Sequence, residues 1–186
     1  MAMGKYVFAA FLAAVSVPAL GAVTVLGSSS ARMCFEAADS PLMPSQRDVR
    51  YCDQAFAENA LSQHDTVATY VNRGILKLRR NRIEEAIADF DQAIRLDPRQ
   101  PEAYLHKGAA LIRLNDADGA LPLFTSALDL HTRRPEIAHF GRAIAYETLG
   151  NVREAYADYR RASELDPDWV DPQTELQRFR VVNTPD

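Results

Sequence analysis

The sequence predicts an all-α protein, a solenoid of stacked antiparallel helix pairs closed by a C-terminal helix. Three observations carry that expectation. The same residue types return at a fixed period: Ala86, Phe90 and Ala93, then Ala120, Phe124 and Ala127, then Ala155, Tyr159 and Ala162, 34 residues apart and then 35. A period of this length means that one unit cannot bury its own apolar face and must stack on its neighbours. Small residues recur as Gly74, Gly108 and Ala143, where they let two helices approach closely. Asp97-Pro98 and Asp166-Pro167 stop the second helix of the outer units, because a residue before proline is pushed out of the helical region.

Counted from Val67, the first unit places Tyr70, Gly74, Ala86, Phe90, Ala93 and Pro98 in register. From Pro101 the second places Tyr104, Gly108, Leu111, Ala120, Phe124 and Ala127; from Glu136 the third places Ala143, Tyr146, Gly150, Ala155, Tyr159, Ala162 and Pro167. This pattern resembles the tetratricopeptide repeat (TPR), and the chain is similar to the small exported TPR proteins of Gram-negative bacteria. The resemblance implies a TPR-type α-solenoid in residues 67–169, with repeats at 67–100, 101–134 and 136–169. Phe90, Phe124 and Tyr159 are expected to fill the space between one pair and the next. Lys77 departs from the pattern where an aromatic or leucine is usual, and Thr132 replaces the closing proline. Pro122 falls inside a second helix, where a missing N–H predicts a bend. The extra residue in the second interval is assigned to Pro135, in the connection.

The chain starts with Met1–Lys5, short and basic, and continues into the apolar run Tyr6–Leu20 and the small residues Gly21 and Ala22. This layout reads as a signal peptide over residues 1–22, cleaved after Gly21, Ala22 or Ala31, with a retained membrane anchor as the rival. Export predicts a periplasmic or secreted protein, the anchor an inner-membrane one. Residues 23–66 form an N-terminal extension. Within it, ARMCFEAAD at 31–39 and QRDVRYCDQAFAENA at 46–60 read as a degenerate helix pair. Cys34 and Cys52 are the chain's two cysteines, one per helix, and in an oxidising compartment the favoured reading is a structural disulfide. A reactive pair and two free thiols are the competing readings, and no Cys-x-x-Cys favours the first. Residues 170–186 supply the end cap: Asp171 is expected to cap a helix beginning at Pro172, with Leu176 and Phe179 covering the last repeat.

Charge and motifs narrow the function. A net charge of −4 lacks the basic face that nucleic acid requires. His64, His106, His131 and His139 form no metal-ligand spacing, and no phosphate loop or nucleophile elbow is present. Pairs such as Glu84-Glu85 sit in a first helical turn, where carboxylates favour the helix dipole. No catalytic residue, metal or cofactor is therefore expected, and no small-molecule substrate.

The resemblance implies instead a concave groove lined by first helices. Its floor maps onto Val71, Leu105 and Phe140, then Ile75, Ala109 and Ile144, then Leu78 and Ile112 beside Glu147, with Arg79 and Arg113 as a basic edge. The lysine and asparagine set with which some TPR domains clamp a chain-terminal carboxylate is missing from these positions. The expected function is a non-catalytic scaffold or adaptor of the cell envelope, binding a protein or peptide segment in that groove. Alternatives are a self-associating structural protein and an envelope enzyme. The chain's own ends, or a second copy, are the competing occupants of the apolar floor.

Overall fold

The computed structural model of the chain describes residues 21–27, 29–58 and 61–179. The basic start and apolar run of the expected signal peptide lie outside the described residues. Within them the regular elements are all helices: α1 (Ser29–Asp39), α2 (Gln46–Ala57), α3 (Gln63–Arg79), α4 (Ile83–Leu96), α5 (Pro101–Arg113), α6 (Ala117–Asp129), α7 (Pro135–Thr148), α8 (Val152–Leu165) and α9 (Val170–Leu176). Each of α1/α2, α3/α4, α5/α6 and α7/α8 is a hairpin. Among first helices, α1 packs on α3, α3 on α5 and α5 on α7, whereas the second helices α4, α6 and α8 are held apart. That asymmetry curves the stack, with the first helices on the inner side.

The hairpin turns show why these segments fold alike. At the end of α3 the Asn81 amide bonds the Leu78 carbonyl and the Arg82 amide bonds that of Lys77. Asn115 and Asp116 repeat this on Ile112 and Leu111 after α5, and Gly150 and Asn151 on Glu147 and Tyr146 after α7. This paired closure satisfies carbonyls that the helix end would orphan, and it needs one residue in the left-handed region. Asn81 (φ 62°), Asn115 (φ 61°) and Gly150 (φ 80°) supply it, asparagine and glycine being the residues that tolerate it best. The second helices of the outer repeats end as expected, with Asp97 and Asp166 closing α4 and α8.

Packing within a repeat is set by an aromatic ring against a glycine. Phe90 is fully buried against Gly74, so closely that a β-carbon on Gly74 would enter the ring. A β-carbon on Gly108 would meet Phe124 at 3.1 Å, a contact that small adjustments accommodate. Phe124 also presses on Gly141 of the following repeat, as Phe90 faces the His106 ring at 6.0 Å, so these rings do bridge successive pairs. Gly74→Ala is accordingly expected to lower stability by about 1–3 kcal/mol through overpacking, and Gly108→Ala by clearly less. Urea denaturation midpoints of the two variants check the order; equal losses would contradict it.

Two local expectations are corrected. Pro135 is not in the connection. It is the first residue of α7, which has 14 residues against 13 in α5, and a proline is tolerated there because the first helical N–H has no acceptor. Asp171 does not cap the last helix: α9 starts at Val170 with Trp169 as N-cap, and Pro172 falls in its first turn, still free of the intrahelical ladder. The Asp171 carboxylate instead accepts from the Trp169 indole at 3.1 Å. The second N-terminal helix ends at Ala57 with Glu58 as its C-cap, and the expected last positions, Asn59 and Ala60, lie outside the described residues. Leu176 and Phe179 do cover the last repeat, Phe179 lying 5.9 Å from the Tyr159 ring.

Cys34 and Cys52 are joined in a disulfide between α1 and α2, their Cα atoms 4.9 Å apart and both side chains fully buried. This short first hairpin buries mostly alanines and cysteines, with Ala31, Ala38, Val49 and Ala55 as its other apolar core. Lys77, the departure in the first repeat, is accommodated by a buried acid: its Nζ lies 2.7 Å from Asp89, which also accepts from Arg73 at 3.0 and 2.7 Å. The third repeat reuses the device, with Arg142 donating to both oxygens of Asp158 at 2.6 and 2.9 Å.

Candidate functional site

The inner face is not empty. Residues 21–26 run extended across it and are the non-helical N-terminal part of the described chain. Ala22, Val23 and Val25 are buried in one cluster with Val71, Ile75 and Leu78 of α3, while Thr24 and Leu26 face out. In an extended chain successive side chains point to opposite sides, so Val23 and Val25 share the inward side. The apolar floor predicted from sequence is thus covered, over α3, by the chain's own segment.

Polar contacts fix the segment by its backbone. The Asn72 side chain accepts from the Val23 amide at 2.8 Å and donates to the Val23 carbonyl at 2.8 Å. One residue giving and receiving in this way is what a neighbouring β-strand would do, here supplied by a single carboxamide. Asn72 is fully buried, so both bonds are needed to satisfy it. Three residues on, the Leu26 amide donates to Asp65 at 3.0 Å. Asp65 is set by the start of α3, its own amide donating to the N-cap Ser62 hydroxyl at 3.1 Å. Burial would raise the Asp65 carboxyl, but the Leu26 amide, Ser62 and His64 outweigh it and hold it below the usual carboxylate range.

At its other end the segment meets α5. A β-carbon on Gly21 would lie 2.8 Å from His106 Nε2, so only glycine passes there without moving the ring. His106 is buried, and its Nε2 finds no hydrogen bond of proper geometry among the described residues although the Gly21 backbone lies beside it. Burial drives the imidazole pKa down to about 4; the Gly21 backbone opposes the shift and the nearby Arg134 charge adds to it. His106 therefore stays neutral in the folded protein at pH 7. Because its folded pKa lies below the unfolded value of about 6.5, its contribution to stability is complete above pH 6.5 and lost as pH falls. At pH 5 the loss is expected to be about 2 kcal/mol. Urea titrations at pH 7 and pH 5 should show that difference shrinking in His106→Gln; an unchanged difference would contradict this assignment.

The remaining predicted groove residues are placed as follows. Leu105 is fully buried and Phe140 nearly so, the latter's ring tilted against Trp169 at 4.7 Å and Tyr159 at 5.5 Å. Ala109, Ile112 and Ile144 are half-buried. Arg79 donates to the Ser40 and Leu42 carbonyls, bracing the α1–α2 loop. Arg113 donates to the Leu78 carbonyl at 2.5 Å and to Asn81 at 2.8 Å, joining the first two repeats. These guanidiniums thus serve the chain's own carbonyls. Because Leu105 is fully buried and Phe140 nearly so, aspartate at both would set carboxylates inside the core at a cost of several kcal/mol, and that pair cannot separate binding from folding.

Sequence reasoning missed Asp65, Asn72 and His106. Asn72 and His106 hold the same place in their repeats, sixth from Val67 and sixth from Pro101, one residue beyond the mapped floor positions. The available signal was a polar residue repeated inside an apolar inner stripe.

Comparison with known proteins agrees with this geometry. Tetratricopeptide-repeat family models match residues 71–135 and 137–169, together more than half of the chain. No curated protein sequence matches. Among solved structures, the first TPR domain of Spaghetti (RPAP3) bound to the HSP90 peptide SRMEEVD is 25% identical with a TM-score of 0.58, covering 61% of this chain and 89% of that one. The first TPR domain of human RPAP3 is likewise 25% identical, with a TM-score of 0.58 and coverages of 63% and 91%. A thermophilic TPR protein of Thermus thermophilus shares the fold at 20% identity and a TM-score of 0.61, covering 78% of each chain. Repeat register, left-handed turn residues, glycine–aromatic packing and these matches together show that the chain belongs to the tetratricopeptide repeat family.

Proposed function

We propose that the protein is a non-catalytic adaptor of the bacterial cell envelope that holds an extended segment of a partner protein in its inner groove. TPR repeats are protein-interaction modules, and a similar TPR domain has been solved with a peptide bound. The single observation that carries the reading for this chain is the hold of Asn72 on both backbone groups of Val23. An inner face that already grips one extended segment by its main chain has the chemistry to grip another. Export is supported by the buried Cys34–Cys52 disulfide, since such bonds persist in oxidising compartments, and by the basic start and apolar run of residues 1–20; the segment 21–27 stays in the chain where that run is retained as an anchor. No helix of the described residues is long and apolar enough to cross a membrane.

The test is affinity purification from the periplasmic fraction with the wild type and Asn72→Ala side by side. A specific partner should be retained by the wild type and lost with Asn72→Ala. Equal retention would contradict the groove as the binding site, and recovery of the protein from the cytoplasm alone would contradict the envelope. Self-association is a second reading, favoured by Leu42 and Met43, each 75% exposed on the α1–α2 loop. Light scattering across concentrations separates a monomeric adaptor from an oligomer.

A further inference from the structure

The geometry points to a defined ligand class for this groove and to a built-in competitor: an extended segment with glycine at its start and small β-branched side chains at alternate positions, of which residues 21–27 are the chain's own copy. This rests on the segment-binding reading above and adds what is bound and what must leave. Recognition is by main chain at two points, Asn72 on Val23 and Asp65 on the Leu26 amide. Such contacts accept any sequence able to lie extended. Selectivity comes from the sides. Val23 and Val25 are 4% and 8% exposed among the α3 side chains, so the inward positions take small branched groups and leave no room for larger ones. Gly21 passes His106 where a β-carbon would clash. Thr24 and Leu26 point outward, Leu26 being 86% exposed, so those positions are unselective.

The segment is also built to come off. It is anchored by three backbone–side-chain bonds and a few small apolar groups, whereas the helices behind it are held by continuous ladders and aromatic packing. A tethered segment competes at an effective concentration on the order of millimolar, which raises the apparent dissociation constant of any free ligand for the same place. A partner segment of the stated class therefore binds only by displacing residues 21–27.

The experiment uses the full chain and a fluorescent heptapeptide with the sequence of residues 21–27. Two variants loosen the internal copy without touching the groove wall. Val23→Asp disfavours burial of the segment. Leu26→Pro removes the amide that bonds Asp65 while altering only an exposed side chain, and it serves if the first variant fails to fold. The peptide is expected to bind either variant at least tenfold more tightly than the wild type, and binding should vanish when Asn72→Ala is added. Equal affinity for wild type and variant, with the amide of residue 23 exchanging freely in the variant, would overturn the competition while leaving a segment-binding groove. No peptide binding to a folded variant whose segment is released would overturn the groove reading as well. A variant that forms concentration-dependent dimers and excludes the peptide would make a second copy the occupant and overturn the proposal.

Discussion

Replacing Asp89 by alanine is expected to lower stability by about 3–5 kcal/mol, because it strands the Lys77 ammonium and takes from Arg73 its buried partner in the first repeat. The Asp89 carboxylate is 5% exposed and lies between Arg73, bound through two nitrogens at 3.0 and 2.7 Å, and Lys77 at 2.7 Å. Arg73 would keep Asp53 at 2.7 Å and its position 4.7 Å above the Phe56 ring. Lys77 would keep much less: its side chain is 10% exposed, and among the described residues its ion pair is with Asp89. A buried ammonium without its counter-charge costs far more than an apolar side chain of similar size. The double variant Asp89→Leu with Lys77→Leu is therefore expected to recover a large share of the loss, as replaced buried ion pairs commonly do. Guanidinium denaturation at pH 7 measures both. A single-variant loss below about 1 kcal/mol, the range of exposed pairs, would show the cluster to be solvated after all.

Cys34→Ser is expected to cost about 3 kcal/mol under oxidising conditions and little once the wild type is reduced. The bridge spans a separation of 18 residues and ties α1 to α2, a hairpin that has no aromatic ring in its buried core. Loss of the crosslink acts on the unfolded chain, whose loop then opens, so the difference between the two redox conditions isolates it from packing effects. Melting curves of wild type and variant with and without reductant make the comparison. Equal losses in both conditions would argue that the sulfur atoms matter as packing and not as a bond.

The parts legible in the sequence are those written in repeat form. Ala86, Ala120 and Ala155 recur because each is fully buried in its own hairpin, so a period of 34–35 residues was enough to place three helix pairs and their packing rings. The Asp-Pro stops were legible because proline acts locally. What escaped depends on non-local encounters. Arg73 and Asp89, like Arg142 and Asp158, are 16 residues apart in sequence and become partners only after each hairpin closes. Asn72 is 49 residues from Val23, and nothing in the composition of residues 21–27 says that they lie on a groove and not in solvent. Val71, Ile75 and Leu78 of the mapped floor lie in one buried apolar cluster, but Arg79 and Arg113 could not be known to serve backbone carbonyls before the loops were in place.

Amide hydrogen exchange at Val23, followed in the wild type and in Asn72→Ala, bears most directly on whether the inner face holds an extended chain by its backbone. A protected Val23 amide is expected in the wild type and a protection largely lost in the variant, with helical amides of α5 and α7 unchanged. Exchange of Val23 at the rate of an unstructured peptide in the wild type would contradict that hold.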